Sequence, residues 1–182
     1  MGGGSPPCRI RASARGGNLL SETRPMKLYF LRHAEAEDGP VDADRRLTGK
    51  GRRDARRLGL YLEESGVEFG QAFTSPLIRA RETAAQVLKE CPLPRKAQLT
   101  VADSLRNGTT AVQFFRWLRA VPEVESMLLI GHEPSLSAWV RKMLSIGNPR
   151  SLPLAKGFLA RVDTENRKTG VLRLLIGAKF LA

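Results

Sequence analysis

The chain has 182 residues, of which 42% are hydrophobic and 26% are charged, and its formal net charge at pH 7 is +12. This length suits one domain with a substantial core, and no apolar run approaches the roughly 20 residues that a membrane-spanning helix needs. Two cysteines provide no disulfide framework, and two histidines far apart in the chain make a poor zinc site. The positive charge favours polyanionic or phosphorylated partners.

Residues 1–25 predict a flexible N-terminal extension, because they are rich in Gly, Pro, Ser and Arg and show no apolar periodicity. Met26 is a natural start immediately before the first predicted strand. The extension contains four arginines and one glutamate, so residues 26–182 keep a formal charge of +9. The basic character therefore belongs to the predicted domain, residues 26–182.

The domain begins with a predicted strand and a long helix. Residues 27–31 are mostly apolar and predict a buried strand, and a helical pattern runs from Thr48 until Gly66 ends it. One face of this helix carries a stripe of four arginines. A solvated helix face is the favoured interpretation of the stripe over partner docking. The stripe consists of Arg52, Arg53, Arg56 and Arg57.

A second strand and helix follow in the same order. The strand runs through Thr74, and the helix continues to about Glu90. We expect Ser75 to be the N-cap of this helix and Pro76 to be its first residue, since both residue types favour those positions.

The remaining elements complete an alternating pattern. They are a short strand within 97–103, a loop and helix within 107–121, a strand at 126–131, a helix that Pro134 starts and that stops near Gly147, and a hairpin of residues 156–163 and 170–177. Strands that alternate with helices predict an α/β fold, a three-layer sandwich with a mostly parallel central sheet flanked by helices and a C-terminal hairpin.

Four side chains are predicted to meet at one edge of this sheet. Ligands of open parallel sheets bind beyond the carboxyl ends of the strands, where helix N-termini also point. Arg32 and His33 end the first strand, His132 ends the fourth, and Arg79 lies one turn into the second helix. Arginine forks match phosphoryl oxygens in pairs, so we expect a phosphate site.

A histidine in a phosphate site can be a nucleophile if its imidazole is neutral, and nearby arginines disfavour its protonation. A single histidine at a strand end is more often a hydrogen-bonded structural residue. Here both histidines of the chain follow apolar strands, and one is preceded by Arg32. The matched contexts favour catalysis. Arg79 alone would be an ordinary helix-surface residue, and only its position beside a strand end suggests a role.

Four motifs, in this order, resemble the histidine phosphatase superfamily: LRHAEAE, RRLTGKG, TSPLIRARETA and LLIGHEPSLS. The short chain and the C-terminal KGFLARV hairpin look most like SixA-type phosphohistidine phosphatases. The resemblance covers residues 26–180 and implies a phosphoglycerate-mutase-like fold. It also implies that His33 is the transiently phosphorylated nucleophile, that Arg32 and Arg79 clamp the phosphate, and that His132 contacts the phosphoryl group. It implies no metal and no organic cofactor.

Two departures from the superfamily pattern stand out. Ala34 follows the nucleophile, where glycine is usual, and the glutamate that many relatives use as proton donor is missing. The comparable stretch, VADSLRNGTTAV, offers Asp103, and Glu35 or Glu133 are other candidate donors. A phosphohistidine leaves as an imidazole protonated from solvent and needs a dedicated acid less than an alkoxide does. SixA-type members resemble the chain in this absence.

The leading hypothesis is therefore a metal-independent phosphatase that hydrolyses protein phosphohistidine through phospho-His33. A phosphatase for a small or nucleotide-like phosphomonoester is the alternative enzyme. A non-catalytic phosphate or nucleic-acid binding module is the alternative of another class, although few aromatics are available for stacking on bases. We expect a monomeric, cytoplasmic protein of signal transduction, with a phosphohistidine-bearing protein or a small phosphorylated substrate as partner and no membrane association.

Overall fold

The computed structural model of the chain describes residues 25–181. The predicted extension therefore lies outside the described residues, apart from Pro25. A six-stranded sheet runs through the centre in the order β3-β2-β4-β1-β5-β6. Its strands are β1 (Met26–Arg32), β2 (Gln71–Thr74), β3 (Leu99–Val101), β4 (Ser126–Gly131), β5 (Phe158–Thr164) and β6 (Val171–Gly177). The first four are parallel, and β5 is antiparallel to both of its neighbours.

Four helices cover the two faces of the sheet: α1 (Gly49–Glu64), α2 (Ile78–Glu90), α3 (Ala111–Ala120) and α4 (Ser135–Met143). Side chains alternate along β1, so Leu28 and Phe30 enter a core with α3 and α4, whereas Tyr29 and Leu31 enter a core with α1 and α2. The three-layer α/β prediction is confirmed, and β5 and β6 form the predicted hairpin.

The register of the sheet brings three strand ends to one edge. Arg32 lies opposite Gly131 in the β1–β4 pair, so the residues that follow, His33 and His132, are neighbours. The backbone N–H of Ser75 donates to the carbonyl of Ile130 over 2.9 Å, which places the turn after β2 at the same edge. The strand order and register thus bring His33, His132 and the turn after β2 to the edge where the site was predicted.

Helix ends agree with the sequence in part. Thr48 caps α1, its hydroxyl accepting from the Gly51 N–H, and Gly66 follows the helix with a φ of 66°. The predicted start of α2 is wrong. The helix begins at Ile78 with Leu77 as N-cap, since Ser75 is fully buried and its hydroxyl contacts a side chain described below.

Helix α4 ends earlier than predicted. Its last residue is Met143 rather than one near Gly147, because Ser145 already adopts a left-handed φ of 56°. Three of the four arginines in the predicted stripe on α1 are exposed: Arg53, Arg56 and Arg57. Arg56 forms an ion pair with Glu90 of α2 at 2.7 Å.

Helix α1 starts in direct backbone contact with the segment that follows β1. A Cβ atom at Gly51 would lie only 2.0 Å from the carbonyl oxygen of Glu35, so no side chain fits there without displacing that segment. Across residues 25–181, no helix combines the length and the apolar character that crossing a bilayer requires.

Candidate active site

His33 is held on two sides by the backbone around it. Its N–H donates to the Gly131 carbonyl over 3.1 Å, and its own carbonyl accepts from Gly157 over 3.1 Å. The ring Nδ1 lies 2.8 Å from the Ala34 carbonyl oxygen. A carbonyl can only accept, so Nδ1 carries the proton of the neutral ring and Nε2 keeps a lone pair. The tautomer is that of an imidazole ready to attack through Nε2.

Arg79 faces that lone pair. Its Nε donates to His33 Nε2 over 3.3 Å, and the residue is only 6% exposed. Its two terminal nitrogens donate to Asp42, one to the backbone carbonyl at 2.5 Å and the other to carboxylate Oδ2 at 2.9 Å. A guanidinium has five N–H donors, and these three bonds leave two for a ligand.

His132 completes the pair of rings. Its Nε2 lies 2.8 Å from the hydroxyl oxygen of Ser75, and its ring centroid lies 5.1 Å from that of His33. Its Nδ1 is buried and has no hydrogen-bond partner among residues 25–181. Ser75 therefore orients the ring, and Nδ1 retains hydrogen-bonding capacity that the fold does not use.

Arg32 is anchored at the same edge. One terminal nitrogen donates to the carbonyl of Leu154 over 2.8 Å, while Nε is buried without a partner among the described residues. Buried polar atoms without partners are rare in folded proteins because their desolvation is costly. An unused donor on Arg32 and an unpartnered ring nitrogen on His132, beside a lone pair on His33, therefore suit the binding of an anion.

Both histidines are neutral at physiological pH. Burial lowers the pKa of His33 to about 3, outweighing the hydrogen bond to Ala34, and the charges of Arg79 and Arg32 lower it further. Burial likewise lowers the pKa of His132 to about 4, with Arg79 adding to the effect and Asp42 opposing it. Burial, with a smaller contribution from the arginines, thus keeps the imidazole of His33 neutral.

This electrostatic arrangement predicts an acid-sensitive fold. The unfolded state binds protons at both histidines near pH 6.5, whereas the folded state does so only near pH 3 to 4, so stability falls as the pH drops below about 6.5. At pH 5 each histidine should cost about 2 kcal/mol of unfolding free energy. The free energy of unfolding, measured with urea, should therefore differ less between pH 7.5 and pH 5 in His132→Gln than in wild type. An equal difference in variant and wild type would contradict the assignment.

The three candidate proton donors are engaged elsewhere. The Glu35 carboxylate accepts from the Thr48 hydroxyl over 3.0 Å, at the start of α1. Asp103 is an exposed partner of Arg106, at 2.7 Å. Glu133 accepts from the Ser137 hydroxyl over 2.7 Å and from the Ser137 backbone N–H over 3.2 Å, within the first turn of α4.

Sequence reasoning gave three residues of the site no role in it. Asp42 holds Arg79, Ser75 contacts His132, and the Thr83 hydroxyl accepts from the backbone N–H of Ala34 over 3.0 Å. Ser75 and Thr83 lie within the TSPLIRARETA motif, which offered a signal. Asp42 lies in a polar segment without periodicity, in a 3-10 turn at Asp42–Asp44, and offered none.

The part of the chain from residue 25 to 181 contains no cluster of three or more His, Cys, Asp or Glu side chains that could hold a metal ion.

Comparison with known proteins identifies the family. The model of the histidine phosphatase superfamily (branch 1) matches residues 28–107. An uncharacterized protein of Picosynechococcus sp. is 36% identical over 120 residues, which cover 63% of this chain and 70% of that protein. The mitochondrial serine/threonine-protein phosphatase Pgam5 of Drosophila virilis is 31% identical over 134 residues, 58% of this chain. The chain spans 46% of the length of that relative.

Among solved structures, the protein histidine phosphatase SixA complexed with tungstate shares the fold. It superposes with a TM-score of 0.78 at 24% sequence identity, and the match covers 86% of this chain and 100% of that one. With the four motifs and the family model in agreement, the chain belongs to the histidine phosphatase superfamily.

Proposed function

We propose that the chain is a phosphohistidine phosphatase that acts through a covalent phospho-His33 intermediate. The observation that carries the proposal is the geometry of His33, whose Nδ1 proton is held by the Ala34 carbonyl while Nε2 faces Arg79 at 3.3 Å. A fixed, neutral imidazole beside a buried guanidinium is suited to attack a phosphoryl group that the arginine orients.

In the first step, Nε2 of His33 attacks phosphorus and the bond from phosphorus to the leaving nitrogen breaks. The electron pair of that bond passes to the leaving imidazole. Arg79 has two unused N–H donors and Arg32 an unpartnered Nε, and these would bind the phosphoryl oxygens. His132 would donate from its unpartnered Nδ1. The positive charges would stabilise the transition state.

In the second step, water attacks the phosphorus of phospho-His33. The electron pair of the nitrogen–phosphorus bond returns to Nε2, the attacking water releases a proton to solvent, and inorganic phosphate leaves. The same groups act again, because the phosphoryl oxygens occupy the same position in both steps. Neither step requires a redox change or a metal ion.

The choice of a phosphohistidine substrate is supported by the positions of the candidate acids. Glu35, Asp103 and Glu133 each bind other groups, so none of them is directed at the histidines by a contact in the described residues. An alkoxide leaving group needs a proton as its bond breaks, whereas a ring-protonated phosphohistidine leaves as neutral imidazole. The site therefore suits a phosphoramidate better than an alkyl phosphate.

A comparison of leaving groups tests the proposal. We expect wild-type protein to hydrolyse a phosphohistidine-bearing protein with a kcat/KM at least about 10-fold above that for a simple alkyl phosphate, since loss of general acid catalysis costs about 10²-fold or more. Assays should contain a chelator, with para-nitrophenyl phosphate as an intermediate case. Equal or faster hydrolysis of the alkyl phosphate would replace this proposal with a small-molecule phosphatase, and absence of any turnover would favour a binding module.

A further inference from the structure

The Asp42 carboxylate accepts a hydrogen bond from Arg79, a predicted catalytic side chain, and the charge of a second carboxylate, Glu133, acts on Arg32. Asp42 Oδ2 accepts from Arg79 over 2.9 Å, and its Oδ1 accepts from Arg45 over 3.2 Å. Its negative charge also reaches His132 and raises the pKa of that ring, against the larger lowering by burial. The carboxylate therefore lies within the electrostatic field of the site.

Asp42 lies on the solvent side of the phosphate-binding arginine. The side chain of Asp42 is 65% exposed, whereas that of Arg79 is 7% exposed. A phosphoryl group that meets His33 Nε2 must arrive from solvent, and an in-line attack places its leaving group on the side away from the nucleophile. The leaving group thus faces solvent, and the exposed Asp42 carboxylate, which is bound to the buried Arg79, also faces solvent.

Asp42 does not have to release Arg79 to meet a substrate. The arginine uses one N–H on each terminal nitrogen for Asp42 and has two more available. Each carboxylate oxygen can accept more than one hydrogen bond, so Asp42 also keeps accepting capacity. Phosphate and leaving group can therefore be held at the same time.

A carboxylate at this position is unfavourable for most phosphate esters, because it repels their charge and an alkoxide or phenoxide offers it no N–H. A phosphohistidine is different. When one ring nitrogen carries phosphorus and the other a proton, the ring is a cation with an N–H donor. A nearby carboxylate stabilises that form, and only that form leaves as neutral imidazole rather than imidazolate.

We propose that Asp42 determines specificity by accepting a hydrogen bond from the protonated ring of the leaving phosphohistidine. This inference rests on the proposed function and adds to it the group that recognises the substrate's ring. The charged groups that face Asp42 are Arg79 and Arg45, and His132 lies within reach of its charge. Asp38, which pairs with Arg45, and Asp44 belong to the same segment.

The test compares two substrates in three proteins. Free phosphohistidine and para-nitrophenyl phosphate are hydrolysed by wild type, by Asp42→Asn and by the control Asp44→Asn, which changes an exposed carboxylate in the same 3-10 turn. We expect the ratio of kcat/KM for phosphohistidine to that for para-nitrophenyl phosphate to fall about 10-fold or more in Asp42→Asn, as loss of a charge-assisted hydrogen bond predicts. The Asp44→Asn ratio should match that of wild type.

The pH profile supplies a second measurement. Asp42 favours the protonated substrate ring, so the alkaline limb of phosphohistidine hydrolysis should move to lower pH in Asp42→Asn. If Asp42→Asn lowers kcat/KM equally for both substrates and the alkaline limb of the pH profile does not move, the inference is overturned. Asp42 would then be a positioning residue for Arg79. An unchanged ratio would also overturn the inference while phosphohistidine hydrolysis stands. Wild-type protein that fails on phosphohistidine would overturn the proposed function together with this inference.

Discussion

His33→Ala is expected to lose phosphatase activity by about 10⁴-fold or more, because removal of a nucleophile leaves only binding and charge stabilisation. The remaining site would still hold a phosphoryl group between Arg79 and His132, but it would have no atom to attack it. The loss should appear in kcat for every substrate that wild type hydrolyses. Steady-state assays with para-nitrophenyl phosphate, beside circular dichroism to verify the fold, measure it.

The same variant locates the covalent phosphate. The chain has only two histidines, so labelling from a radioactive phosphoryl donor can be assigned by two substitutions. We expect an acid-labile, base-stable label in wild type, none in His33→Ala, and a retained label in His132→Ala, since the proposed acceptor is His33. A label that persists in His33→Ala and disappears in His132→Ala would exchange the roles of the two residues.

Replacement of Arg79 should have the next largest effect. We expect kcat/KM to fall about 10²-fold in Arg79→Lys and about 10³-fold in Arg79→Ala, the magnitude typical of a lost electrostatic contact to the transition state. Lysine keeps the charge but cannot hold His33, Asp42 and a phosphoryl group at once, because its ammonium lacks the planar fork that makes those bonds. The inhibition constant of inorganic phosphate, the product of the proposed reaction, should rise in parallel.

Arg81 provides the matched control for this prediction. It lies on the same helix two residues later and is exposed, so Arg81→Lys should keep wild-type kcat/KM and wild-type inhibition by inorganic phosphate. Burial of Arg79 adds a structural risk, which thermal unfolding of each variant measures. Arg79→Lys with wild-type kcat/KM would contradict the role assigned to the guanidinium fork. A loss of kcat/KM in Arg79→Lys that unfolding fully explains would also contradict that role.

The fold and the meeting of the two histidines could be predicted because they depend on regular features. Apolar runs identify β1 and β4, and parallel strands direct their carboxyl ends to one edge, so His33 and His132 had to be close. That argument needs no side-chain detail. The pairing of Arg32 with Gly131 across the two strands then determines the spacing.

The details that sequence did not reveal depend on irregular backbone. Ser75 is a residue type that favours the N-cap position. Its hydroxyl is instead buried against His132, and the helix begins only at Ile78. Asp42 is one of three acidic residues within 38–44, and nothing in the residue types tells which of them reaches Arg79. The backbone path of the loop determines which of them does so. Arg45 holds that path by donating a hydrogen bond to the Glu37 carbonyl over 2.6 Å.

The contact between Gly51 and Glu35 has a consequence for how substitutions in this chain are interpreted. Gly51 is not among the predicted site residues, yet any side chain there would push against the carbonyl two residues after His33, the proposed nucleophile. A scan of all positions scored by turnover would rank Gly51 among the most intolerant sites and invite a catalytic interpretation. Its intolerance would instead reflect a steric limit. The first turn of α1 packs against the backbone that follows His33, and only a residue without a side chain fits there.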